Sequence, residues 1–291
     1  MTQLLLGAPV AEQLFNRTQD SIQKDRIKGY LAIFMIGENH PWAAYVRKKV
    51  QYAEKLWLQA KVFTSEDTID ADIEHCNADR ECLWVIIQLP LPATLQDKKT
   101  HLLNAVHPSK DVDCLWETLI SMSKVGDGSI DVIPATPAAV MHLLAYYDLE
   151  KIVPTSIISI LGESDLIGAP LAALVQTMWA NVHTFNEFSN QEQMRSICKA
   201  SDIIISATGN LHLVDETFVR ADKKQIVIDV GRGMLDGKSV GDVKTEQLMD
   251  KVYAITPVPW WVWPVTVASL FWNLVRLWQQ RVHIADVLEY R

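Results

Sequence analysis

The stretch Ser156-Ile157-Ile158-Ser159-Ile160-Leu161 is apolar or small throughout and runs straight into Gly162. A strand without polar alternation must be covered on both faces, as in a parallel sheet flanked by helices. Parallel strands cannot be joined by tight turns, so each needs a crossover, usually a helix. The chain supplies that alternation twice. Apolar runs at 30–36, 60–64 and 85–89 are separated by helical patterns at 8–27, 42–57 and 67–76. A second series has runs at 156–161, 181–185, 202–206, 225–230 and 252–255, and a last amphipathic helix is expected over 266–281. The expected fold class is α/β.

Between the two series lies Lys124-Val125-Gly126-Asp127-Gly128-Ser129, a turn-rich stretch suited to a domain boundary. A chain of 291 residues holds two domains of ordinary size. The second series reads as a nucleotide-binding sheet of the Rossmann kind. A net charge of -8 leaves no basic footprint for nucleic acid. No apolar run reaches the ~18 residues of a membrane span, and the first residues lack the basic-then-apolar pattern of a leader. Cys76, Cys82, Cys114 and Cys198 fall in no ligand spacing, so neither metal nor disulfide is expected, and the expected setting is a reducing cytoplasm.

Some residues could carry chemistry. Tyr45 and Lys49 stand four apart on an expected helix and share one face. Alone they fit a solvated basic helix equally well, since Arg47 and Lys48 lie between them. Gln88 closes the third strand at its carboxyl end, where open parallel sheets place ligands, unless it only caps backbone groups. Asp111 and Asp113 sit in Lys110-Asp111-Val112-Asp113, a binding segment or a polar loop. From Gly162 to Pro170 a strand ends in glycine, passes Ser164 and reaches a second glycine, Gly168, that opens a helix. That fits a pyrophosphate-binding turn, although the spacing is not GxGxxG and an ordinary tight turn reads the same way.

Further strings join these: Tyr45-Val46-Arg47-Lys48-Lys49, Gln88-Leu89-Pro90-Leu91-Pro92, Thr136-Pro137, Val227-Ile228-Asp229-Val230-Gly231, Val240-Gly241-Asp242-Val243 and Ile255-Thr256-Pro257-Val258-Pro259. In this order they resemble one family over nearly the whole chain, the bifunctional methylenetetrahydrofolate dehydrogenase/cyclohydrolases. The resemblance implies oxidation of 5,10-methylenetetrahydrofolate by hydride transfer to a nicotinamide cofactor, then hydrolysis of the methenyl product to 10-formyltetrahydrofolate. It implies a folate-binding catalytic domain of residues 1–125 completed by 266–291, and a Rossmann dinucleotide-binding domain of 126–265. A homodimer in one-carbon metabolism, serving purine biosynthesis, is also implied.

The same resemblance assigns roles. Lys49 is the general acid/base, which requires a lysine pKa lowered toward neutrality. Gln88 hydrogen-bonds Lys49, Tyr45 orients the folate rings and Asp113 accepts from the pterin amino edge. Substrate is also expected to meet Leu89, Pro90, Pro259, Trp260, Trp261 and Pro264. The cofactor is expected at Gly162, Glu163, Ser164, Ile167, Gly168, Pro170, Glu187, Ala207, Thr208, Gly209, Val230 and Gly231. Where many relatives carry arginine and a phosphate-compatible residue, this chain has Glu163 and Glu187. Two carboxylates repel a 2′-phosphate and suit a free ribose hydroxyl, so the expected cofactor is NAD rather than NADP.

One departure is larger. The family's Pro-Gly-Gly-Val-Gly-Pro is here Pro259-Trp260-Trp261-Val262-Trp263-Pro264. Trp57, Trp84 and Trp179 likewise stand at family glycines. The chain has 10 tryptophans and only 12 glycines, which together make an ordinary glycine content. Tryptophan is the largest replacement for a residue chosen for its freedom or for close approach. A single cause fits all six sites: the codon UGA, read as glycine in some bacterial lineages and as tryptophan under another code. The expectation is glycine at these sites in the native chain. As printed, the chain could instead be a folded, inactive or binding-only relative. A dehydrogenase without the hydrolase is opposed by Lys49 and Gln88, and another Rossmann substrate by the Gln88–Pro92 and Lys110–Asp113 strings.

Overall fold

The computed structural model describes residues 1–37, 43–115, 132–258 and 262–289. The expected linker at 124–129 lies outside these residues, as do Pro259, Trp260 and Trp261. In chain order the elements begin with β1 (Gln3–Leu4), α1 (Gly7–Lys24), β2 (Tyr30–Phe34), α2 (Ala43–Lys55) and β3 (Gln59–Phe63). Next come α3 (Ile69–Ala78), β4 (Cys82–Ile87), α4 (Lys99–Ala105), α5 (Ala135–Tyr146), β5 (Ile157–Leu161) and α6 (Gly168–Thr177). Then follow β6 (Asn181–Phe185), α7 (Gln191–Ala200), β7 (Ile203–Ser206), β8 (Ile226–Asp229) and the short pair β9 (Gly233–Leu235) and β10 (Lys238–Val240). The last are α8 (Thr245–Leu248), β11 (Ala254–Ile255) and α9 (Trp263–Glu289).

One compact unit holds residues 15–115, 132–135 and 270–289. Its sheet is parallel in the order β3-β2-β4. β2 is buried at every position, as its unbroken apolar run demands, whereas β3 is a half-exposed edge strand. Packed around Phe34, Val85 and Ile87 are Ile69 and Ile73 of α3 and Leu102 of α4. The ammonium of Lys110 donates to the carbonyls of Cys76, Asn77 and Asp79 at 2.7, 2.8 and 2.9 Å. These are carbonyls that the end of α3 leaves without helical partners. Lys110 is therefore a structural clamp on α3, and a β-bridge between Asp111 and Val85 holds the same segment against β4.

The other unit holds Met1–Leu14 and Thr136–Ser269. Its parallel sheet has the order β1-β11-β8-β7-β5-β6, and Leu161, Ile204, Val227 and Ile255 contribute to its core. The first 14 residues thus differ from the expected domain 1–125. β1 joins this second sheet, with Gln3 opposite Ala254 and Leu4 opposite Ile255. A two-residue strand is too short to leave a pattern in sequence. The division falls inside α1 and α9, at 14/15 and 269/270. α9 starts three residues before its expected position, and Pro264 sits in its first turn, where a missing N–H costs nothing.

Two of the unusual tryptophans occupy left-handed backbone. Trp57 has φ 58° just past α2, and Trp179 has φ 70° just past α6. In each case the following amide reaches back to close the helix, Leu58 to Ala53 and Ala180 to Val175, in a Schellman arrangement. Glycine is the usual occupant. Both indoles project into solvent, at 66% and 87% exposure. Arg26 and Asp148 hold equivalent positions after α1 and α5, so this chain tolerates side chains there. Trp84 is different: it is fully buried, and its Nε1 donates to the carbonyl of Leu274 at 3.0 Å.

Candidate functional site

α2 carries Tyr45 and Lys49 on one face, and the two meet as expected. The Lys49 Nζ lies 5.0 Å from the centre of the Tyr45 ring. It lies 3.9 Å from Asp113 Oδ2, and its side chain is only 3% exposed. Burial lowers the lysine's pKa from its ordinary value, and the nearby Asp113 charge partly opposes that. Burial likewise raises the pKa of Asp113, with Lys49 opposing. For each group burial works toward the neutral form and its partner's charge works against that.

Gln88 is buried directly beyond β4, as its strand-end position implies. Its expected hydrogen bond to Lys49 is not made. The amide nitrogen turns back to the carbonyl of Leu89 at 2.8 Å, and Oε1 is buried with no partner. The carbonyl fixes that orientation, since only the nitrogen end can donate to it. Leu89 packs against the core, while Pro90 follows it through a cis peptide and is exposed. Pro264 lies in the other unit, exposed at the start of α9. Beside it, Trp263 stacks under the Arg232 guanidinium at 5.2 Å from the ring centre.

The nucleotide turn lies at the end of β5, where the chain passes to β6 on one side and returns to β7 on the other. Open α/β sheets bind ligands at such a switch point. Gly162 has φ 98°, and a Cβ there would run into the carbonyl of Ala207. Gly168 opens α6 so close to the Gly162 carbonyl that a side chain would collide with it. Amides of Ile167 and Ala169 close the turn onto the Ser164 carbonyl, and Pro170 is buried within the first turn of α6. These glycines form a backbone cradle that fits a pyrophosphate at a helix N-terminus. The cavity beside it measures about 530 Å³ and is lined by Gly162, Glu163, Ser164, Glu187, Ala207 and Thr208 among others. The Glu163 carboxylate accepts from Thr184 Oγ1 and Asn186 Nδ2, both at 2.8 Å. Gly209 follows with φ 68°, while Val230 donates its amide to the Ser206 carbonyl at 2.7 Å and brings Gly231 alongside.

Two family models match the chain: "Tetrahydrofolate dehydrogenase/cyclohydrolase, catalytic domain" over residues 5–113 and "Tetrahydrofolate dehydrogenase/cyclohydrolase, NAD(P)-binding domain" over 134–282. The chain belongs to the tetrahydrofolate dehydrogenase/cyclohydrolase family. Among curated members, the bifunctional protein FolD of Sulfurihydrogenibium sp. is 31% identical, covering 96% of this chain and 98% of its own. That of Chlamydia pneumoniae is 33% identical, covering 95% and 99%. The solved FolD methylenetetrahydrofolate dehydrogenase/cyclohydrolase from Campylobacter jejuni superposes with a TM-score of 0.89 at 28% identity, over 97% of this chain and all of that one.

Within this family member, Lys49, Tyr45 and Asp113 are gathered in one unit, and the turn 162–170 stands with Glu187, Ala207 and Thr208 in the other. Among the described residues, no group of three or more His, Cys, Asp or Glu could hold a metal ion. Sequence reasoning gave Asp242 no role, although it contacts the expected cofactor loop directly. Its only signal was its place in the Val240–Val243 string.

Proposed function

We propose that Lys49 is the proton-transferring group of a bifunctional folate enzyme. As a dehydrogenase/cyclohydrolase, the chain oxidises 5,10-methylenetetrahydrofolate to the methenyl form and hydrolyses that to 10-formyltetrahydrofolate. The observation that carries the role of Lys49 is its burial beside Asp113 at 3.9 Å, under the Tyr45 ring. In hydrolysis, the Lys49 amine takes a proton as water adds to the amidinium carbon. The resulting ammonium returns a proton to the departing ring nitrogen as the carbon–nitrogen bond breaks. Tyr45 packs beside the ammonium, and Asp113 receives the pterin amino edge. Gln88 offers its unpartnered Oε1 to the substrate rather than to Lys49.

For hydride transfer, the bound nicotinamide supplies the acceptor, and the chain's part is alignment. Gly162, Ser164, Ile167, Gly168 and Pro170 shape the pyrophosphate cradle. Glu163, pinned by Thr184 and Asn186, stands with Glu187 against a 2′-phosphate, which supports NAD as the preferred nucleotide. Met234 and Leu235, exposed on β9, support a homodimer built through this unit. Four cysteines without disulfides support a cytoplasmic setting.

One assay tests the reading. NAD reduction should follow addition of 5,10-methylenetetrahydrofolate, and the methenyl absorbance should then decay. If the folded chain gives neither signal, the proposal is overturned.

A further inference from the structure

The string Val240-Gly241-Asp242-Val243 has no part in the chemistry above, yet Asp242 is fully buried. Its Oδ2 accepts from Ser206 Oγ at 2.9 Å, the Thr208 amide at 2.7 Å, Thr208 Oγ1 at 2.8 Å and the Gly209 amide at 3.2 Å. A buried carboxylate is costly unless bonded, and here one oxygen gathers every donor while Oδ1 has none. A second carboxylate, Asp229, sets Asp242 in turn. It accepts from the amides of Gly231, Asp242 and Val243 at 2.9, 3.1 and 3.0 Å.

Two glycines make room for this arrangement, and they do so reciprocally. A Cβ on Gly231 would strike the Asp242 carboxylate, and a Cβ on Gly241 would strike that of Asp229. The loop being gathered is not remote from the nucleotide turn. Ala207 presents its carbonyl to Gly162, and Ala207 and Thr208 line the cavity beside Glu163. With the amides of Thr208 and Gly209 turned inward, the loop offers that cavity no N–H from these positions. Such a wall suits an uncharged ribose or carboxamide and leaves phosphate to the turn at 162–168.

We propose that Asp242 is a positioning residue for the nicotinamide nucleotide, acting through the loop 206–209 and not on the folate. The inference rests on the dehydrogenase reading above. The full chain, Asp242→Asn and Ser206→Ala are compared by calorimetric titration with NAD, by nucleotide-free hydrolysis of 5,10-methenyltetrahydrofolate and by thermal melting. Asp242→Asn should weaken NAD binding about tenfold, and Ser206→Ala about threefold, with hydrolysis retained in both. Dehydrogenation by Asp242→Asn should recover at saturating NAD, so the defect lies in KM rather than kcat.

A wild-type chain that binds NAD, with both variants binding it equally well, sinks this proposal alone. Loss of NAD affinity and hydrolysis in parallel in Ser206→Ala also sinks it, since that is a general structural defect. A wild-type chain that binds no nucleotide sinks the dehydrogenase reading and this inference with it.

Discussion

The Lys49 Nζ and Asp113 Oδ2 stand 3.9 Å apart, at the outer limit of an ion pair, with the lysine buried and the aspartate partly exposed. Burial pushes the lysine down and the aspartate up, and each partner's charge opposes the other's shift. Because the Asp113 charge raises Lys49, Asp113→Asn should lower Lys49 further. The acidic limb of the hydrolysis pH–rate profile should then move to lower pH, and an unmoved limb would contradict the coupling. Lys49→Gln should reduce hydrolysis by about 10²–10⁴-fold, measured as methenyl decay, with the fold retained.

Glu163 is held in place by two hydrogen bonds, so its charge is presented at a fixed position. Glu163→Ser removes that charge and should raise kcat/KM for NADP about tenfold relative to NAD. Steady-state dehydrogenation with both nucleotides checks it. A wild-type enzyme already as efficient with NADP would refute the basis of the prediction.

The tryptophans should divide by location. At φ 58° and 70°, Trp57 and Trp179 bear a left-handed penalty of roughly 1–2 kcal/mol, partly offset by glycine's greater chain entropy when unfolded. Trp57→Gly and Trp179→Gly should each stabilise the chain by about 0.5–1 kcal/mol in denaturant titrations. Trp84→Gly should destabilise it by about 3–5 kcal/mol, because it empties a buried site and orphans the Leu274 carbonyl. The same sign at all three positions would show that location does not govern the effect.

Asp229 is fully buried at the end of β8, and burial lifts its pKa to about 7. Between the ordinary carboxyl range and about pH 7, the native chain holds a proton that the unfolded chain has released. Stability from this group therefore falls as pH rises through that window and levels off above it. Melting temperatures should fall by several degrees from pH 5 to pH 7, and Asp229→Asn should flatten the slope. An equal slope in the variant would assign the effect to other groups.

How much of this was legible in sequence follows the length and chemistry of each signal. The buried strands at 30–34 and 157–161 announced themselves as unbroken apolar runs, and the turn at 162–170 by its two glycines. That Tyr45 and Lys49 meet was legible in helical spacing, whereas Asp113 was marked only by the order of the motifs. β1 was not, since two residues carry no periodicity. The Gln88–Lys49 bond failed because an amide can satisfy itself on its neighbour's carbonyl, and spacing does not encode which way it turns. Asp242 was missed because its partners are brought together only by tertiary folding.

The pairing of Gln3–Leu4 with Ala254–Ile255 closes a loop of about 250 residues. During synthesis, β1 must wait, unpaired, until β11 has left the ribosome. The nucleotide-binding sheet therefore cannot seal this edge before β11 has emerged. A growing chain keeps that edge open to other strands until β11 is available, so chaperone dependence should concentrate in that interval.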